Sequence, residues 1–300
     1  MSAAAGPAAS RRTGVLLAVA GAVCFAGKAI IIKLAYRHGV DPLTLIMLRM
    51  LFALPFFVAL AWWSGRGQPA LTRRDWAVVA ALGFSGYYLS STLDFIGLQY
   101  ITASLERLIL YLTPTIVLLL GRVLFGRTVS RWQLLALAIS YLGVIVVFGQ
   151  ELSLGGRDVA LGSALVFVST FTYAGYLIAS GEVVRRLGAL RLTGLATAVA
   201  CVLCIVQYAL LKPLDTVAAQ PAPVFWLSLL NATACTFAPV LLTMMAIERL
   251  GSALTTQVGM IGPVSTILMG VLLLGEPFTP SLAAGSALVF AGVAMLSRPR

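Results

Sequence analysis

Apolar residues fill this chain in long runs, interrupted by short stretches where arginine, glycine, proline or serine cluster. The runs cover 13 to 35, 43 to 63, 76 to 97, 102 to 121, 132 to 149, 159 to 180, 192 to 211, 223 to 245, 252 to 273 and 281 to 297. Each approaches the roughly 20 mostly apolar residues that a helix needs to cross the hydrocarbon of a bilayer. Nearly every residue lies inside a run or within a few positions of one. The pattern predicts an all-α membrane protein of ten transmembrane helices with a short tail at 1–12. It leaves no room for a soluble domain, a long linker or a low-complexity segment.

Composition supports the bilayer as solvent. The chain is 60% hydrophobic and 10% charged, with a mean hydropathy of +0.99, whereas soluble domains are about 45–50% apolar. A net charge of +11 in a soluble protein would suggest phosphate-rich partners, but the positions of the basic residues argue otherwise. With a cytoplasmic N-terminus, the inner loops and ends hold Arg11, Arg12, Arg66, Arg73, Arg74, Arg122, Arg127, Arg131, Arg185, Arg186, Arg191, Arg249, Arg298 and Arg300. The outer loops hold only Arg37, Arg157 and Lys212. This positive-inside bias predicts a multi-pass protein of the cell's inner membrane, both termini cytoplasmic, with no nucleic-acid partner. The N-terminal "MSAAAGPAASRR" leads into an apolar run too long for a signal peptide and without a clear cleavage site, so it is read as a retained first span. Cys24, Cys201, Cys204 and Cys235 all fall within runs, where a thiol acts as a small apolar side chain.

The chain is written twice. "TASLERLILYLTP" (102–114) and "GSALTTQVGMIGP" (251–263) share their length, a Leu in common register and a final Pro. Placing Pro114 on Pro263 aligns 93–147 with 242–296 without a gap. It pairs Leu105 with Leu254, Gly121 with Gly270, Leu124 with Leu273, Gly126 with Gly275, Gly143 with Gly292 and Val144 with Val293. Upstream, at almost the same offset, "FAGK" (25–28) falls opposite "YAGY" (173–176) and Gly14 opposite Gly162. Two five-helix repeats result, 13–149 and 159–297. Because five is odd, the second copy enters the membrane from the opposite side, and the repeats are inverted. Inverted repeats place a solute site near the midplane between the halves and supply two packings for alternating access. The competing reading is a duplicated bundle with no transport role.

Several motifs carry a resemblance: "GPVSTILMGVLLLGEPFT" followed by "GSALVFAGVAML", "FAGKAIIIKLAY" in the first run and "DPLTLIMLRML" opening the second. In this duplicated order the chain resembles the drug/metabolite transporter superfamily, in its EamA-type branch, over essentially its whole length. The ten-span exporters of aromatic and other neutral amino acids look most similar. That resemblance implies a central cavity lined by helices one, three, four, six, eight and nine. The first copy departs from the pattern at Arg127, where Glu is usual, as Glu276 is in the second copy.

Charges at membrane depth cost roughly 2.5 to 3.5 kcal/mol each on insertion scales, so each is a functional hypothesis. Lys33 and Arg49 lie toward the outer ends of their runs, where long side chains snorkel to headgroups; they also match the family's opening motifs. Lys28 lies deeper and needs a buried partner or a water-filled cavity. "GAVCFAGKA" around it fails as a phosphate loop, since its first Gly is one position too distant and no Ser or Thr follows the Lys. The carboxylates at depth are Asp94 and Glu106. The short connection between their helices predicts an antiparallel hairpin across which Asp94 meets Arg107. Glu106 and Arg107, adjacent on one helix, point about 100° apart and cannot share a face. Asp94, Glu106 and Arg107 are therefore assigned to gating or coupling, with a purely structural buried ion pair as the alternative.

Lys28, Tyr87, Ser91, Tyr111, Tyr173, Tyr176, Asn231 and Gln257 are the candidate substrate-binding residues. Mostly apolar walls with a few hydrogen-bonding groups suit a small amphipathic solute. Pro114, Pro239 and Pro263 inside predicted helices mark bending points. The function expected is export of small organic metabolites, neutral or aromatic amino acids by family likeness, by alternating access. The alternative is efflux of multiple drugs or cationic compounds by the same fold. An intramembrane enzyme would need a nucleophile with its base or a metal cluster in the spans, and the lone His38 falls in an outer loop. No catalysis, cofactor or metal is expected. The partners expected are a small-molecule substrate and the lipid bilayer, and the oligomeric state is left open, a monomer sufficing.

Overall fold

A computed structural model of the chain describes residues 7–126, 128–213 and 215–296. The first helix, α1, is Pro7–Tyr36. Asp41 starts α2 (Pro42–Gly65), its carboxylate accepting from the Leu43 and Thr44 amides while Pro42 fills the first turn, where no amide donor is missed. Thr72 and Asp75 form a reciprocal capping box at the start of α3 (Arg73–Gly83), which passes through a π-helical segment, Phe84–Leu89, into α4 (Ser90–Gly97). Next come α5 (Ala103–Leu110), α6 (Thr113–Phe125), α7 (Arg131–Leu187), α8 (Ala189–Leu211) and the single turn α9 (Asp215–Ala218). The chain closes with α10 (Ala222–Ala232), a π segment Thr233–Phe237, α11 (Ala238–Leu250), α12 (Ser252–Gly259), α13 (Ile261–Met269), a π segment Gly270–Leu274 and α14 (Pro280–Leu296).

Seven helical stretches among the described residues are long and apolar enough to cross a membrane. One of them, Arg131–Gly181, is 51 residues long. It belongs to α7, whose helical path breaks at Gly156 with φ 57° and ψ −133°, a combination only glycine adopts without strain. Tyr141 and Val144 before the break share an apolar cluster with Ala174 after it. Residues that far apart on one straight helix would be separated by about 45–50 Å, so the two parts fold back on each other.

Two of the predicted single helices are broken. The 102–121 run divides at Tyr111 and Leu112, and the 252–273 run divides at Met260. Aligning Pro114 with Pro263 puts Met260 on Tyr111, so the breaks are equivalent. The same registration superposes the π segments at 84–89 and 233–237 and the left-handed glycines Gly126 (φ 62°) and Gly275 (φ 73°) that end the following helices. Each proline predicted as a bending point stands just after a break or a π segment, within the first turn of α6, α11 or α13. Pro114 offers no amide to the Leu110 carbonyl, and the Thr113 hydroxyl donates to it instead, at 2.6 Å.

Packing repeats in the same way. A Cβ placed on Gly143 would fall 2.5 Å from the Gly285 carbonyl oxygen, and one on Gly292 would fall 2.5 Å from that of Ala136. Gly14 packs on Arg249 and Leu250, and its counterpart Gly162 packs on Tyr100 and Ile101. Each contact becomes the other when residues are exchanged for their equivalents.

Large apolar side chains face outward, including Val123, Leu154 and Leu210 and all five tryptophans, whereas Lys28, Arg49, Asp94, Glu106 and Arg107 are buried. An apolar exterior around a charged interior suits lipid rather than water as the surrounding medium.

Candidate functional site

The charged interior centres on α1. Lys28 is 7% exposed, and its Nζ donates to Asp94 Oδ2 on α4 at 2.6 Å while lying 3.2 Å from Glu106 Oε1 on α5. Two carboxylates thus flank one amine, so none of the three groups is buried without a polar neighbour. Glu106 is fully buried, and neither of its oxygens accepts a well-aligned hydrogen bond.

The expected Asp94–Arg107 pair does not form. Asp94 turns to Lys28, and Arg107 directs Nη2 to the carbonyls of Phe25 and Ala26 at 3.3 and 3.4 Å, with its guanidinium carbon 5.3 Å from the Phe25 ring centre. The reason is the position of α1, which lies against both α4 and α5 and presents an amine between them. Helix α1 also supplies Arg107 with two carbonyl acceptors.

The two arginine and lysine side chains expected to reach headgroups are held internally. Lys33 Nζ donates to the Leu98 carbonyl at 3.0 Å. Arg49 is buried on α2; its Nε donates to Thr236 Oγ1 at 3.0 Å, and its guanidinium carbon stands 5.2 Å from the centre of the Phe95 ring. Because Asp41 and Pro42 fix where α2 begins, Arg49 lies two turns inside it, about 10 Å from its start.

Lys28, Arg49, Asp94 and Arg107 border a cavity of ≈ 360 Å³. Lys28, Tyr87, Ser91, Tyr111 and Tyr173 of the predicted binding set line it, as do Asp94 and Arg107. Tyr176 stands one layer back, its hydroxyl 3.2 Å from that of Tyr87 and its ring stacked with that of Tyr173, centres 5.7 Å apart. The structure does not bring Asn231 or Gln257 to the wall. Asn231 is buried and donates to the Lys28 carbonyl at 3.3 Å, steadying the α1 backbone beside its amine, and Gln257 is exposed on α12. Glu106 backs Lys28 without reaching the wall.

Residues that the sequence reading left out also line the cavity: Phe25, Met50, Ser169, Thr193 and Thr197. Thr193 and Thr197 are four apart and therefore share one face of α8, a spacing visible in the sequence. Both halves contribute lining residues at equivalent positions: Phe25 and Tyr173, Tyr87 and Thr236, Ser91 and Val240, Leu110 and Gly259, Thr113 and Gly262. Every charged group at the wall comes from the first half, and the second half contributes hydroxyl, aromatic and apolar surface. The arrangement can enclose a small amphipathic molecule.

Known proteins match this organisation. The profile of the EamA-like transporter family matches the chain twice, over residues 12–149 and 160–298. An uncharacterized transporter of Bacillus subtilis strain 168, YcbK, is 32% identical over 275 residues, covering 88% of this chain and 86% of that protein. An uncharacterized transporter of Archaeoglobus fulgidus is 26% identical over 202 residues, covering 67% of this chain and 68% of that protein. A solved crystal structure, 17% identical, superposes with a TM-score of 0.62 over 95% of this chain and 96% of its own, a likeness of fold alone. With both halves matched and a relative aligned over most of its length, the chain is a multi-pass membrane protein belonging to the EamA-like transporter family.

Proposed function

We propose that this transporter exports small organic metabolites from the cytoplasm by alternating access of two inverted five-helix halves, with neutral and aromatic amino acids as the substrate class. The observation that carries the proposal is the cavity between the halves, walled by equivalent residues from each and large enough for a small solute at ≈ 360 Å³. Ten crossings follow if α7 is divided at Gly156 and the Arg73–Gly97 and Pro280–Leu296 segments are each counted as spanning. Inversion is supported by the register of equivalent helices. Ala136 and Gly143 lie against Gly292 and Gly285 respectively, so the two segments run antiparallel, as a two-fold axis in the membrane plane requires. The distribution of arginine supports cytoplasmic termini in the inner membrane.

The wall suits a neutral amphipathic solute. Aromatic rings of Phe25, Tyr87, Tyr111 and Tyr173 provide apolar surface, and hydroxyls lie between them. Lipophilic cations fit poorly, because three cations, Lys28, Arg49 and Arg107, line the cavity against one carboxylate, Asp94. Counterflow of labelled phenylalanine, leucine, a nucleoside and a cationic dye into proteoliposomes tests the reading. Exchange of the amino acids above protein-free vesicles is expected, whereas exchange of the dye or nucleoside alone would overturn it.

A further inference from the structure

We infer that Arg49 anchors the carboxylate of the transported amino acid and that Asp94 receives its ammonium group. This rests on the reading of the chain as an amino-acid carrier. Arg49 lines the cavity and is 94% buried by its 6% exposure, yet no carboxylate among the described residues pairs with it. One nitrogen, Nε, is spent on Thr236, and the guanidinium face rests on Phe95, but Nη1 has no partner. Arginine stays charged in proteins and cannot escape burial by giving up its proton, so an unpaired guanidinium in such a wall calls for an anion.

The matching acceptor is adjacent. Asp94, next in sequence to the Phe95 that carries the guanidinium, lines the same cavity; it uses Oδ2 for Lys28, and its buried Oδ1, with the Glu106 carboxyl as a neighbour, makes no well-aligned hydrogen bond. A monoanion would satisfy Arg49 and leave Asp94 Oδ1 open. A monocation would do the reverse. A zwitterion that carries its ammonium and carboxylate on one carbon offers a partner to each and leaves the net charge of the cluster unchanged, while its side chain is free to lie on Tyr87 and Tyr173. Arg107 likewise lines the cavity and leaves Nε without a partner, but its outer nitrogen Nη2 is already committed to two backbone carbonyls, whereas Arg49 keeps its outer nitrogen Nη1 free.

The test uses full-length protein in liposomes and three solutes: phenylalanine, phenylalaninamide, which lacks the carboxylate, and 3-phenylpropionate, which lacks the ammonium group. Wild type is expected to favour phenylalanine over either analogue by about tenfold or more, since each analogue leaves a buried polar group unpaired. Arg49→Gln is expected to raise the KM for phenylalanine about tenfold while leaving phenylalaninamide unchanged, collapsing the ratio between them. Arg49→Lys, which keeps the charge, restores part of the ratio and serves if the Gln variant fails to fold. Asp94→Asn is expected to narrow the preference for phenylalanine over 3-phenylpropionate. A purely structural Arg49 would depress both solutes alike, so an unchanged ratio in both Arg49 variants overturns the anchor. Failure of wild type to move either phenylalanine or leucine while moving solutes that are not amino acids overturns the amino-acid reading itself.

Discussion

Gly270 shows how one missing side chain holds a distant contact in place. A Cβ there would lie 2.7 Å from Glu276 Oε2 and 3.3 Å from Ser104 Oγ, in the space where Glu276 accepts from the Ala103 and Ser104 amides and the Ser104 hydroxyl. Gly270→Ala is therefore expected to break part of this set and destabilise the protein by about 1–3 kcal/mol, read from thermal unfolding in detergent. Combined with Glu276→Ala the two losses should not add, because both remove the same bonds. Lys28 is the second such position. Lys28→Met strands two buried carboxylates and should cost about 3–5 kcal/mol; adding Asp94→Asn should return part of that stability. The need of Lys28 for a partner was legible in the sequence, since it lies too far inside an apolar run to snorkel. The identity of the partner was not, because the order of residues in a hairpin says nothing of a third helix entering beside it. Arg49 looked superficial for a related reason: burial depends on what packs around a helix, and distance from the nearest loop does not measure it.

Among the elements, apolar runs marked the helices well and their breaks poorly. The fold-back within α7 was legible because two runs and an intervening polar stretch predicted two helices there, although the helical backbone continues through almost all of it. The interruptions at Tyr111–Leu112 and Met260 were legible only as the prolines that follow them, because π segments and breaks keep the hydrophobic pattern intact. Loops outside the apolar spans are fixed by local caps that the sequence does disclose. Burial would push the Asp41 carboxyl up, but hydrogen bonds from the Thr44 hydroxyl and amide, together with Lys212 at 3.4 Å, hold it below its ordinary value. Asp41→Ala is expected to cost about 1 kcal/mol near neutral pH. A carboxyl with a depressed folded-state pKa stabilises above its unfolded value and loses that contribution as pH falls through the folded one. The gap between wild type and variant should stay constant above about pH 5 and close below about pH 4, as a pH series of melting curves would record.

At the scale of the whole molecule, the proposed inversion makes a direct prediction. Cysteines introduced at residue 3 and residue 299 in a background lacking the four native thiols should both be blocked by an impermeant maleimide only after the membrane is opened from the cytoplasmic side. Labelling of one end from outside intact cells would exclude an even number of crossings with cytoplasmic termini. Repetition between the halves is legible in the sequence, but the charge imbalance at the cavity is legible there only in part. Glu106 and Arg107 could be seen to face Thr255 and Thr256 in the alignment. That the entire wall follows the same division required the cavity itself. A carrier assembled from two identical half-length chains would have to duplicate Lys28, Asp94, Glu106, Arg49 and Arg107 around one space, doubling the electrostatic burden on a small interior. Joining the halves in a single polypeptide removes that obligation. One half can then keep the ions while its sibling drifts toward rings and hydroxyls, and the chamber gains a polarity that no symmetric homodimer can possess.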